Sequence, residues 1–132
     1  MEGESGEAKK KHILVVEDEA ELALSYKELL EEHGYSVATA ANGVIALKTI
    51  LNKHVDVVIC DLKLPQLEGD MFYVTVEKLK PHLCDRFIFI TGMAGNPKFQ
   101  PFINRMESRV LFKPISIDQL LQAVKDLLSK QA

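Results

Sequence analysis

The sequence predicts an α/β fold, a five-stranded parallel sheet doubly wound with helices on both faces, and three observations predict it. Short apolar runs alternate with segments whose apolar residues recur at helical spacing. The central runs Ile13-Leu14-Val15-Val16, Val57-Val58-Ile59-Cys60 and Phe87-Ile88-Phe89-Ile90 are apolar throughout, as strands covered on both sides must be. Chemically distinct groups sit where the runs stop: Glu17-Asp18 after the first, Asp61 after the second, Thr91 after the third, and Lys113-Pro114 after Val110-Leu111-Phe112. In parallel strands these carboxyl ends share one sheet edge, which is where sites form in open α/β sheets.

Each element has its own local reason. Residues 1–10 alternate acids and lysines with Gly3 and Gly6 and carry too little apolar content to fold, so they read as a mobile tail ahead of a domain over residues 11–130. After strand 1, Leu22, Tyr26, Leu29 and Leu30 share one face of a helix over residues 20–33, which Gly34 terminates. Residues 35–39 form strand 2. Asn42 caps a second helix with Val44, Leu47 and Leu51 turned inward. Strand 3 covers residues 55–60, and a loop with Pro65 and Gly69 leads to a helix over residues 70–79 that Pro81 closes. Strand 4 covers residues 86–90. Pro97 and Pro101 limit the fourth helix to residues 98–106, because an interior proline removes a backbone donor and clashes with the preceding turn. Strand 5 covers residues 109–112. The fifth helix opens on a capping-box pattern, Ser116 with Gln119, and continues as a stripe of Leu120, Leu121, Val124, Leu127 and Leu128. Only residues 129–132 follow it, too few for an output domain.

Composition narrows the function. A chain of 132 residues with 47% hydrophobic and 27% charged residues suits one domain with a substantial core. The formal net charge of −3 and the lack of a basic patch interleaved with aromatics argue against nucleic-acid binding. Cys60 and Cys84 have no metal-ligand or redox spacing, which fits a reducing cytoplasm. No apolar run approaches the roughly 20 residues that span a bilayer, and the charged start is unlike a signal peptide. His12, His33, His54 and His82 are scattered without ligand spacing and read as surface residues.

The rim residues ask for a cation. Like-charged carboxylates at contact distance push at least one pKa up unless a counter-charge is present. The oxygen-only set Glu17, Asp18 and Asp61 suits Mg²⁺, which keeps several waters and binds few carboxylates. Lys113 adds a second positive charge, and together these groups describe a pocket for a phosphoryl group on, or next to, an aspartate. Two plainer readings stand beside this one: Asp61 as a polar strand end, and Asp18 as a cap on the first helix.

From Ile13-Leu14-Val15-Val16-Glu17-Asp18-Glu19, through Asp61-Leu62-Lys63-Leu64-Pro65-Gln66-Leu67-Glu68-Gly69 and Thr91-Gly92, to Lys113-Pro114, the chain resembles the receiver domain of two-component response regulators. The resemblance implies a flavodoxin-like sheet of order 2-1-3-4-5 with five helices. It implies that Asp61 is the phosphoacceptor, that Asp18 and Asp61 bind Mg²⁺ directly, that Glu17 binds it through water, and that the Lys63 carbonyl contributes. Thr91 and Lys113 are implied to contact the phosphoryl oxygens, with the Lys113-Pro114 peptide cis. The implied partners are a histidine kinase or histidine phosphotransfer protein, docking on Ala20, Leu22, Ala23, Pro114 and Ile115, and an unidentified downstream protein. Such a domain is a self-modifying switch in the cytoplasm, with no membrane insertion and no turnover substrate, so it is not an enzyme. A phosphorylation-independent pseudo-receiver that recruits a partner is the alternative.

Two residues depart from the family pattern. Val110 stands where many receivers carry an aromatic residue that swings inward, and Gly92 stands where alanine is common. The stretch from Phe102 to Pro114 is similar to receivers associated with hybrid histidine kinases. Rivals on the same fold fit less well. A flavodoxin needs a phosphate-binding loop where Glu17-Asp18-Glu19 would repel phosphate, and an aspartate-nucleophile phosphatase wants a second acid where this chain has Lys63.

Overall fold

A computed structural model describes residues 10–130. In chain order the elements are β1 (His12–Val16), α1 (Ala20–Glu32), β2 (Ser36–Ala40), α2 (Gly43–Asn52), β3 (Val57–Asp61), α3 (Gly69–Leu79), β4 (Phe87–Thr91), α4 (Gln100–Arg105), β5 (Val110–Phe112) and α5 (Ile117–Lys130). Short 3₁₀ segments, Pro81–Arg86 and Glu107–Arg109, precede β4 and β5. The sheet has the order β2-β1-β3-β4-β5, and every pairing is parallel. The expected tail over residues 1–10 lies, apart from Lys10, outside the described residues. Among the described residues no helix is long and apolar enough to cross a membrane.

Alternation along the strands divides the core into two halves. Leu14, Val16, Val58, Cys60, Phe87 and Phe89 face one way, onto α2, α3 and α4. Ile13, Val15, Val57, Ile59, Ile88 and Ile90 face the other, onto α1 and α5. The first half is aromatic: Tyr73 meets Phe87 at 5.0 Å between ring centroids and Phe102 meets Phe89 at 5.0 Å, both edge to face. The capping expectations for the second and fifth helices hold in detail. Asn42 Oδ1 accepts the Ile45 amide at 2.8 Å, while Ser116 and Gln119 exchange bonds of 2.9 and 3.1 Å at the start of α5.

One expected face is wrong. Val44 and Leu51 of α2 are 38% and 46% exposed, whereas Gly43, Ala46 and Ile50 are buried with Leu47 beside them. Both sets recur at helical spacing. The smaller one wins because the start of α2 packs directly on a backbone segment, where larger side chains have no room.

At the amino ends of the strands Asp56 ties three of them together. Its amide donates to the His12 carbonyl at 2.7 Å, and its Oδ2 accepts the His12 amide at 2.8 Å. His54 Nε2 lies 2.8 Å from the other carboxylate oxygen, and Arg86, the residue just before β4, donates to the Asp56 carbonyl at 3.4 Å. Burial pushes the Asp56 carboxyl up, but the His12 amide and the His54 ring outweigh it and hold the pKa below the usual carboxylate range.

Candidate functional site

The register of the sheet carries the carboxyl ends of β1, β3, β4 and β5 to one rim. Val16 stands opposite Cys60, Asp61 opposite Ile90, and Thr91 opposite Phe112, so the next residues of β1 and β5, Glu17 and Lys113, arrive beside Asp61 and Thr91. Backbone bonds hold them there: the Glu17 amide donates to the Ala40 carbonyl at 3.0 Å, and the Lys113 amide to the Thr91 carbonyl at 2.8 Å. The Lys113-Pro114 peptide is cis.

Lys113 Nζ lies 2.9 Å from Asp61 Oδ2 and 3.4 Å from Glu17 Oε1, bridging the two buried acids. The second oxygen of each carboxylate takes a backbone amide, Glu17 Oε2 that of Glu19 at 3.2 Å and Asp61 Oδ1 that of Lys63 at 3.3 Å. Asp18 is exposed beside them, and one carboxylate oxygen from each of Glu17, Asp18 and Asp61 lies within 4.8 Å of the others. These groups open onto a cleft of about 510 Å³, also lined by Lys63, Pro65 and Met93.

Electrostatically the rim is short of positive charge. Burial, aided by the Asp61 charge, lifts the Glu17 carboxyl to about 7 against the pull of the Glu19 amide and of Lys113. Burial also acts against the Lys113 ammonium, but the bond to Asp61 and the Glu17 charge outweigh it and hold its pKa above the ordinary lysine value. Among the described residues, one ammonium, that of Lys113, bridges two of the three clustered carboxylates. The donor set consists of hard oxygens, one of them solvent-facing, and it fits a divalent cation that keeps part of its water.

Of the residues singled out in the sequence, Glu17, Asp18, Asp61, Lys63 and Lys113 all line this cleft. Thr91 sits beneath it, fully buried, its hydroxyl accepting the Met93 amide at 2.9 Å. The capping reading of Asp18 is not what the backbone shows, since the N-cap of α1 is Glu19 and its side chain makes no capping bond. Around the rim Ala20 and Pro114 are exposed and Leu22 and Ile115 half-buried, but Ala23 is buried and contributes little to an outer surface. Sequence reasoning gave no role to Glu68. It lines the cleft and pairs with Lys98 at 2.5 Å, joining the loops after β3 and β4. No pattern in either segment signals that pairing. Gly69 closes the loop after Asp61: a Cβ there would lie 2.3 Å from the Asp61 carbonyl oxygen, a contact only glycine permits.

Comparison with known proteins agrees with this geometry. Residues 13–125 match the family model described as the response regulator receiver domain. The chain is 33% identical over 121 residues to the sensor kinase CckA of Brucella abortus (strain 2308), covering 90% of this chain but only 13% of that kinase. Among solved structures it is similar to a response regulator receiver domain protein from Methanospirillum hungatei JF-1, with a TM-score of 0.81, 29% identity, and coverage of 93% of this chain and 97% of that one. It is also similar to the response regulator TrrA of Thermotoga maritima in complex with Mg²⁺ and BeF, with a TM-score of 0.75, 31% identity, and coverage of 89% and 98%.

Proposed function

We propose that this chain, which belongs to the response regulator receiver domain family, accepts a phosphoryl group on Asp61 from a phosphohistidine or a small phosphodonor. The observation that carries the reading is Lys113 Nζ, held between Asp61 and Glu17 with Asp18 open beside them. A carboxylate oxygen of Asp61 attacks phosphorus in line, the P–N bond of the donor imidazole breaks, and an acyl phosphate remains on the aspartate. The Lys113 ammonium stabilises the charge that grows on the transferring oxygens, and Thr91, buried beneath the cleft at the end of β4, offers its hydroxyl to the product. Asp18 and Asp61 would hold Mg²⁺ directly, with Glu17 acting through water and the Lys63 carbonyl contributing, and the ion would supply further charge neutralisation; the Mg²⁺ complex of the Thermotoga relative supports this choice of ion.

The product is a modified protein and not a released substrate, so the domain acts as a switch and not as a turnover enzyme. Its donor is a histidine kinase or phosphotransfer protein, approaching over Ala20, Leu22, Pro114 and Ile115. Incubation with a small phosphodonor and Mg²⁺, followed by intact-mass analysis, is expected to add one phosphoryl group to the parent chain and none to Asp61→Asn. Undiminished modification of the Asn variant overturns the assignment, and an unmodified parent chain leaves the pseudo-receiver in its place. In the same assay Asp18→Ala abolishes the Mg²⁺ dependence and Glu17→Ala only weakens it, because a direct ligand matters more than one acting through water.

A further inference from the structure

We propose that Gly43, the first residue of α2 and no part of the acid cluster, is a positioning residue for the loop that follows Asp61. A Cβ on Gly43 would stand 2.1 Å from the Leu67 carbonyl oxygen, 2.7 Å from the Leu67 Cβ and 3.0 Å from the Leu67 carbonyl carbon. Two of these three atoms are backbone, so no rotamer change relieves the contact. The start of α2 is a stop against which the loop rests.

The loop has little freedom to absorb a push. At its root the Gly69 amide donates to the Leu62 carbonyl at 2.9 Å, and Gly69 packs against the Asp61 and Leu62 backbone. At its outer end Gln66 has φ 67°, and the Leu67 amide donates to the Pro65 carbonyl at 2.8 Å. Leu64 is buried and Leu67 is packed against the same core half. The segment between these fixed points holds Lys63, whose amide donates to Asp61 Oδ1 and whose carbonyl, under the functional reading above, faces the ion. A displacement at Leu67 therefore passes to Lys63 and to the Asp61 carboxylate. The inference rests on that functional reading for its metal readout, while the loop position itself is read separately.

The test compares Gly43→Ala with Ala46→Gly in the full chain. Ala46 is buried one turn along the same helix, so its substitution weakens α2 without adding an atom against the loop. Mg²⁺ affinity is measured calorimetrically with MgCl₂, loop position by amide resonances of residues 62–67, and stability by thermal melting. Gly43→Ala is expected to shift those amides and lower Mg²⁺ affinity on the order of tenfold, the scale of supporting-shell changes, whereas Ala46→Gly melts earlier with unchanged affinity and unshifted loop amides. Asn42→Ala, which removes the cap without adding bulk, is expected to speed amide exchange across residues 62–67 and to hold even if Gly43→Ala does not fold. Unshifted loop amides in Gly43→Ala, equal affinity losses in Gly43→Ala and Ala46→Gly, or unchanged loop exchange in Asn42→Ala each overturn the proposal. A parent chain that binds no Mg²⁺ overturns the metal reading instead, and the amide data still decide whether Gly43 positions the loop.

Discussion

The two ends of β1 and β3 carry buried carboxylates in opposite condition. At the amino end Asp56 is fully partnered, by the His12 amide, the His54 ring and the neighbouring Arg86, and its pKa is held low. At the carboxyl end Glu17 and Asp61 share one lysine with a third acid close by, and the Glu17 carboxyl is lifted to about 7. The strands, their burial and the residue class are the same, so the difference lies in the supply of donors. One end uses its charge to join strands, and the other leaves charge under-compensated, which is the state an ion or phosphoryl group relieves.

The sharpest way to break this comparison is to remove one acid from each end. Asp56→Ala removes the bonds from the His12 amide and the His54 ring and is expected to cost about 1–2 kcal/mol in urea unfolding, whereas Asp61→Ala removes charge from a crowded rim and leaves stability at or above that of the parent. A loss at Asp56 below ~0.5 kcal/mol, or a larger one at Asp61, ends the contrast. Next, Glu17→Gln at pH 8 without metal replaces a carboxylate that burial disfavours by a neutral isostere, and a gain of about 1–2 kcal/mol is expected from denaturant midpoints. A destabilised Gln variant would mean that its bond from Lys113 outweighs the burial.

A smaller effect sharpens the comparison through pH. The Asp56 pKa is lower in the folded chain than its ordinary 3.8, so the folded state binds fewer protons than the unfolded one in that range. The stability it supplies is complete above that value and is lost as pH falls through the folded pKa. Unfolding free energies measured down the acid limb should fall less steeply in Asp56→Asn than in the parent, and parallel limbs would contradict the assignment. The smallest effect tests how roomy the reactive end is. A Cβ on Gly92 would meet Lys113 Cδ at 3.9 Å, an ordinary contact, so Gly92→Ala is expected to gain ~0.4–1 kcal/mol by restricting the unfolded chain and to leave phosphorylation unchanged. A loss of either would show that the loop after β4 needs the missing side chain.

What the sequence disclosed depended on whether the signal was local. Apolar runs and their polar stops mark the strands and the acid rim directly. They also end the strands too early: β3 and β4 include Asp61 and Thr91, since a polar residue buried under the rim still pairs in the ladder. The inward face of α2 could not be read from Val44 and Leu51, because the deciding contact is with Leu67, a residue of another element. The amino-end cluster was invisible for a related reason. His12, His54, Asp56 and Arg86 follow no motif, and only the β1–β3 and β3–β4 registers bring them together.

The lysine bridge also has a consequence for synthesis. Lys113 lies 52 residues beyond Asp61 and 96 beyond Glu17. At ~5–20 residues per second it leaves the ribosome roughly 3–10 s after Asp61. Until β5 has emerged and docked, the nascent acids have no ammonium to bind and no fixed partner across the rim. A polypeptide cut short ahead of β5 carries the same carboxylates but cannot assemble the centre, because the ammonium that bridges Glu17 and Asp61 is missing from it.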